Sequence, residues 1–309
     1  ILWLLVRQLE EDGERHKHRA RRWYAILFLL GLSLTNHLTT VLLVPVIVLA
    51  LVMSWFGDRR RIQAGEWAVG AGLFFLGLSP YLFIPLRWPA LHDGAWMTLR
   101  EFVDYVTGGQ FHGALRLEGW RDPTRWRILG RLMLEPFGWA GLVLSAVGAV
   151  LWAIRRRRVL VLKSAALLPF LAYGLVYYVA DIAVFLIPAH LMLAVWMGAG
   201  AASLIGFFSE AGSLGPRINR LLNSGTRRAV LLGLVALIPL SRLWSNLPDT
   251  DRSGDHGGYA WGRYALQQPL AEGGAVLADT KKFAPLYYLQ QIEGMRADLD
   301  IVLLGWAAL

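Results

Sequence analysis

Long apolar runs alternate with short charged ones along this chain. The apolar runs cover residues 23–55, 67–86, 132–154, 159–180, 184–208 and 229–243. Between them lie residues 7–22, 56–66, 87–131, 155–158 and 209–228, and a polar tail follows from Trp244. Most runs are about 20 residues, the length at which an α-helix crosses roughly 30 Å of hydrocarbon. The pattern predicts an all-α integral membrane bundle. The opening residues 1–6 read as the last turns of an apolar helix, so the chain is expected to lack an N-terminal portion.

The first long run holds 33 residues. As one helix it would reach about 50 Å and tilt far beyond the usual roughly 20°. It would also bury Asn36 and His37 near the bilayer centre, which is costly. The alternative is a hairpin of two short helices, with Ser33-Leu34-Thr35-Asn36-His37-Leu38-Thr39-Thr40 at its tip and Pro45 in the first turns of the second helix. Charge favours the hairpin. With it, 18 of the 31 basic residues fall on one side, in or beside short loops that include Arg155, Arg156, Arg157 and Arg158. Basic residues in short loops mark the cytoplasmic face. The expected layout is a membrane domain over residues 1–246 with about seven spans, counting the short hairpin at 23–55. The 87–131 loop and the tail then face outward.

The tail predicts a small α/β segment over residues 247–309. Residues 274–278 and 300–304 have strand patterns. Pro285 to Glu293 suits a helix begun near Ala284, and Gly294 suits its C-terminal cap.

The formal net charge is +9 and there is no cysteine. The lack of thiols removes disulfides, thiolate catalysis and Cys-ligated metal. The basic residues flank apolar runs, so the charge points to a membrane face and not to nucleic acid. No metal-ligand set stands out; His16 and His18 do not share a helix face.

Under the hairpin topology, His37, Arg87, Asp181 and Arg242 fall at the outward boundary, beside a loop that carries Gln110. Each has a plainer structural reading. Asn36 and His37 satisfy the backbone of a tight turn, Arg87 and Arg242 anchor at the interface, and Asp181 caps the next helix. His190 suits a hydrogen-bonded interhelical residue better than a ligand. Their convergence on one rim fits chemistry on a headgroup better than passage of an ion.

The tip segment within residues 31–45 resembles the hallmark segment of the transmembrane protein 260 family, multi-spanning proteins whose animal member is a protein O-mannosyltransferase of the endoplasmic reticulum. Tyr81-Leu82-Phe83-Ile84-Pro85-Leu86-Arg87, residues 102–111 and residues 181–188 are similar to later family segments. So are Asp279-Thr280, residues 285–290 and residues 293–298 of the tail, except that Ala297 stands where Pro is expected. The resemblance implies a GT-C type glycosyltransferase, with a sugar donor on a polyprenyl phosphate and an active site at the outer membrane surface. Further expectations follow from it. His37 and Arg87 bind the donor phosphate, with Asn36, Asp181, Gln110 and Arg242 in support. The partners are the bilayer, the lipid-linked donor and a protein or envelope acceptor. The essential acidic group of such enzymes would precede Ile1, so no catalytic carboxylate is assigned and the fragment by itself is expected to be inactive. A bacterial inner membrane is expected over the endoplasmic reticulum. The rival classes are a lipid or solute transporter and a non-catalytic membrane assembly protein. The transporter is disfavoured by the lack of midplane polar groups, His190 apart, and of internal symmetry.

Overall fold

A computed structural model describes residues 1–10, 16–57, 64–209 and 224–304. Arg15, Arg59, Arg60, Arg61, Arg217 and Arg220, counted above among the basic-side residues, lie outside the described residues. The chain divides into two compact units, Ile1–Arg242 and Leu243–Leu309.

The first unit is helical. Its elements are α1 (Leu2–Glu10), α2 (His16–Asn36), α3 (Val44–Gly57), α4 (Ala64–Leu78), α5 (Phe83–Arg87), α6 (Leu99–Thr107), α7 (Pro123–Arg155), α8 (Arg157–Val176), α9 (Ile182–Phe185) and α10 (Ile187–Ser209); α11 (Ser224–Thr250) begins in it. Among the described residues, five helical stretches are long and apolar enough to cross a membrane: Ala64–Leu91, Pro123–Arg155, Arg157–Val176, Ile187–Phe208 and Gly225–Thr250. The apolar stretch Leu38–Ser54 is shorter.

The first apolar run is broken where its polar residues fall. Helix α2 stops at Asn36, and His37 has an extended backbone with φ −150° and ψ 118°. A 3₁₀ turn over Leu38–Leu43 leads into α3, with Pro45 as its second residue. The packing of α2 on α4 shows that the chain then turns back. A Cβ on Gly70 would meet the Leu27 side chain, a Cβ on Gly31 would meet the Phe74 carbonyl, and the Tyr81 hydroxyl donates to the Leu34 carbonyl at 2.6 Å. Position rises along both helices together, so α2 and α4 are parallel. The segment between them must return to the starting side.

The same logic orders the second half. Gly148 abuts the Trp196 carbonyl, Gly200 abuts the Leu144 carbonyl, and the Ser145 hydroxyl donates to the Leu193 carbonyl at 3.0 Å. Helices α7 and α10 are therefore parallel, and α8 runs back between them. Lipid tails are as apolar as leucine, so such helices associate through close packing and not through removal of apolar surface from water. Glycine at the crossing lets two backbones touch. The buried core of this unit gathers Leu5, Ile26, Val46, Ala50, Leu162, Phe170 and Ala189 from five helices.

Helix α7 begins at Pro123, nine residues before the predicted apolar run starts. Asp122 caps it by accepting from the Thr124 N–H at 2.8 Å, and Pro123 stands at the first helical position, where a missing N–H is harmless. The apolar pattern misses this arm because its turns carry Arg125, Arg127 and Arg131. Arg131 and Glu135 pair at 2.6 Å on its exposed face. The arm ends in a kink at Gly138, with φ 60° and ψ 177°, two residues after Pro136.

The second unit holds α12 (Gly257–Leu266), β1 (Ala275–Ala278), α13 (Thr280–Glu293) and β2 (Asp300–Leu303). The strands pair in parallel from Ala275↔Asp300 to Ala278↔Leu303, joined by α13. Leu266, Ala278, Leu286, Leu289 and Leu299 form the small core. Helix α13 starts at Thr280, earlier than the expected start near Ala284. The Asp279 carboxylate accepts from the N–H groups of Lys281 and Lys282, both at 3.0 Å, and so caps the helix upstream. Pro285 is tolerated inside at the loss of one bond to the Lys281 carbonyl. Gly294, at φ 69°, ends the helix as expected. The turn into β2 is held by Arg296, which donates to both Asp298 oxygens at 2.8 Å and to the Leu270 carbonyl at 3.1 Å.

Two predictions follow. The chain has no cysteine, so single Cys residues report topology cleanly. His37→Cys and Arg156→Cys, in otherwise unaltered full chains, are expected to react with an impermeant thiol reagent from opposite sides of the membrane; labelling from one side would overturn the hairpin. In the tail, the hydrogen-bonding Arg296 guanidinium holds the Asp298 carboxyl down to about 2. This depressed value makes the fork a source of stability above about pH 4 that is lost as pH falls toward about 2. Asp298→Asn should lower the thermal stability of the second unit at neutral pH and leave it unchanged near pH 2, measured on the full chain.

Candidate functional site

The helix ends opposite the short basic loops meet in a rim built from four sequence segments. The first is the tip after α2. There the Thr39 N–H points to His37 Nδ1 at 3.4 Å, and the Thr39 hydroxyl lies 2.8 Å from the same nitrogen. With Nδ1 accepting, the proton falls on Nε2, and the neutral ring keeps a donor there. His37 is exposed. Its ring stands edge-on to Phe185, with centroids 5.4 Å apart, which joins the tip to α9 just after Asp181. Phe185 in turn contacts Tyr177, at 5.2 Å, and Tyr173, at 5.9 Å.

The second segment follows α4. Tyr81 ties it to the end of α2 through Leu34 and to α6 through an edge contact with Phe102 at 6.4 Å. Arg87 ends α5, is exposed, and makes no hydrogen bond or ion pair among the described residues. Directly after it, Trp88 stacks on His92 with centroids 3.7 Å apart and meets the edge of Tyr105 at 6.1 Å. Helix α6 is fixed by a capping box: Glu101 accepts from the Thr98 N–H at 2.7 Å, and the Thr98 hydroxyl accepts from the Glu101 N–H. Those bonds to Thr98 hold the Glu101 carboxyl below its ordinary value.

The third segment, residues 114–122, is stitched to the end of α8. The Arg116 N–H donates to the Val176 carbonyl and the Tyr178 N–H to the Ala114 carbonyl, both at 2.8 Å. Arg125 secures the joint. Its buried guanidinium donates to the carbonyls of Gly174, at 2.5 Å, Tyr177, at 2.6 Å, and Leu175, at 3.3 Å. These are the carbonyls a helix C-terminus leaves unsatisfied, and a cation beside them is doubly favourable. The Tyr178 ring lies against both Arg125 and Arg116, 4.4 and 4.9 Å from their guanidinium carbons. Its hydroxyl donates to Asp122 at 3.2 Å. Burial and then the Asp122 bond push the Tyr178 phenol up, while the Thr124 N–H pulls the Asp122 carboxyl down.

The fourth segment is the kink of α7. Pro136 lacks the N–H that would bond the Leu132 carbonyl. His190 supplies the missing donor from α10, with Nε2 at 3.1 Å from that oxygen, and its ring packs on Phe137. The Arg242 guanidinium lies on Gly138: a Cβ there would sit 2.8 Å from its Nη2. Gly138 is about 26 Å along the helix from Arg155, so this node lies at the outer edge of the span.

Of the residues singled out in the sequence, His37 is brought to the Asp181–Phe185 turn, and the segment of Arg87 is tied to that of Asn36 through Tyr81 and Leu34. Asp181 occupies the N-cap of α9 but its side chain makes no capping bond. Arg242 joins the α7 kink, with His190, and not the His37 group. Gln110 lies in the 3₁₀ turn Gly109–Ala114; its side chain is outside the described residues. Among the described residues no three metal-ligating side chains cluster. Sequence reading missed Arg125, because its partners are carbonyls about fifty positions away. The Asp122-Pro123-Thr124 start signal was available to find the arm that carries it.

The spans and their polar rim define a multi-pass integral membrane protein. Residues 1–59 match the family model of the protein O-mannosyl-transferase TMEM260 N-terminal domain. That match takes in the tip segment 31–45; the later segments that resemble the family lie beyond it. No curated protein and no solved structure matches the chain.

Arg125→Ala is expected to destabilise the full chain by about 3 kcal/mol, the cost of freeing buried carbonyls from a charged donor. Arg125→Lys should not rescue it, because an ammonium cannot span the three acceptors. Thermal unfolding in detergent measures both.

Proposed function

We propose that this protein is a GT-C type membrane glycosyltransferase that moves a sugar from a polyprenyl-phosphate donor to a protein or envelope acceptor at the outward membrane face. The observation that carries the reading is the match of residues 1–59 to a family named for protein O-mannosyl transfer, together with the exposed His37 that this segment presents at the rim.

In the transfer, an acceptor hydroxyl oxygen bonds to the anomeric carbon, the bond from that carbon to the phosphate oxygen breaks, and the hydroxyl proton passes to a base. The departing phosphate gathers charge, so donors fixed in advance lower the barrier. A lipid-linked donor holds its phosphate at headgroup depth. His37 offers Nε2–H there, and Arg87 offers an exposed guanidinium with a free fork of donors. Asn36 and Asp181 flank them and orient the donor. Gln110 and its loop shape the sugar or acceptor site, while Arg242 supports the rim from the α7 kink. The base is assigned to none of these residues.

In the full-length protein, Arg87→Ala should cut sugar transfer from a polyprenyl-phosphate donor by about 100-fold, the loss typical for one transition-state donor, with membrane insertion intact. Unchanged turnover rejects the role.

A further inference from the structure

The glycines of α10 are of two kinds. Gly200 faces α7, and a Cβ on it would strike the Leu144 carbonyl. Gly198 and Gly206 meet nothing within 4 Å. Close helix contact explains the first and leaves the other two without a reason. They line a cleft of about 400 Å³ between α10 and α11, within the usual range for small-molecule sites, about 300–1,000 Å³. Ala201, Ala202 and Ile205 continue the α10 wall; Leu232 and Val235 form the α11 wall. Among the described residues the one charged group in the lining is Arg228.

The position of that charge is fixed by helix direction. Gly141 of α7 faces Ile238, and Gly138 faces Arg242, so α11 runs opposite to α7. Its first turn, with Arg228, therefore stands on the side where α7 ends in Arg155. That is the side carrying the short basic loops. Arg228 is exposed and makes no ion pair among the described residues, and its neighbour Arg227 is buried.

Both walls belong to spans, so the bilayer is the medium that supplies an occupant. The lining fits a hydrocarbon chain, and the guanidinium at headgroup level fits a phosphate with net negative charge. We propose that the α10–α11 cleft is a binding site for one anionic phospholipid of the basic-side leaflet, with an acyl chain in the cleft and the phosphate on Arg228. The site is separate from the outward rim and does not depend on sugar transfer.

The test is native mass spectrometry of the full chain in mild detergent, titrated with phosphatidylglycerol or phosphatidylcholine. One retained phospholipid per chain is expected, with phosphatidylglycerol favoured about fivefold, the worth of one basic residue at an anionic surface. Arg228→Gln should remove the preference and Arg228→Lys should keep it. Ala202→Trp and Gly206→Trp, which fill the cleft from two positions, should each reduce retention of both lipids while helix content stays constant. Equal retention of the two lipids, a preference that survives Arg228→Gln, or retention untouched by both Trp variants overturns the proposal. Efficient disulfide cross-linking of Gly198→Cys chains in the native membrane also overturns it, because a second copy would then fill the cleft.

Discussion

In hydrocarbon no water is present to accept or donate a hydrogen bond, so every break in a helix must be answered by the protein itself. This constraint accounts for most of the polar structure in the membrane unit. Where α2 stops, His37 and Thr39 bond to each other and the Thr39 N–H turns to the ring. Where Pro136 interrupts α7, His190 reaches across from α10 to the orphaned carbonyl. Where α8 ends, the Arg125 guanidinium gathers three carbonyls. The last two repairs use a side chain from another helix, so each also pins two elements together.

Close approach is the other requirement, since burial of apolar surface draws helices together far less in lipid than in water. Gly31 with Gly77, and Gly148 with Gly200, bring paired backbones into contact and set α2 parallel to α4 and α7 parallel to α10. Those directions decide which ends share a face. They carry His37, Asp181 and Arg87 to one side and leave Arg228 on the opposite side. A glycine that makes no such contact is then informative, and the contrast between Gly200 and its neighbours Gly198 and Gly206 is what separates a seam from a cleft.

The second unit follows the rules of water-exposed structure. Asp279 and Gly294 bound α13, and a small leucine core joins it to a pair of parallel strands. Arg296 and Asp298 hold the final turn through an exposed charge pair whose strength is geometric, because both carboxylate oxygens receive a donor.

The sequence alone determined the class of fold. Apolar runs of spanning length, their basic flanks, the polar break at Asn36 and His37, and the strand–helix–strand pattern of the tail are local signals with direct physical causes. It also marked the tip segment that the family model later matched. What it left open were features whose partners are distant in the chain. Arg125 looked like one more loop cation until its three carbonyls, from Gly174 to Tyr177, came into reach. The α7 arm looked like loop because its charges masked the helix that Asp122 and Pro123 start. Arg242 looked like a member of the His37 group, and tertiary packing put it on the α7 kink instead. Periodicity reports the face a residue shares with its neighbours three and four positions away. Only the folded chain decides which carbonyl, glycine or open cleft lies opposite that face.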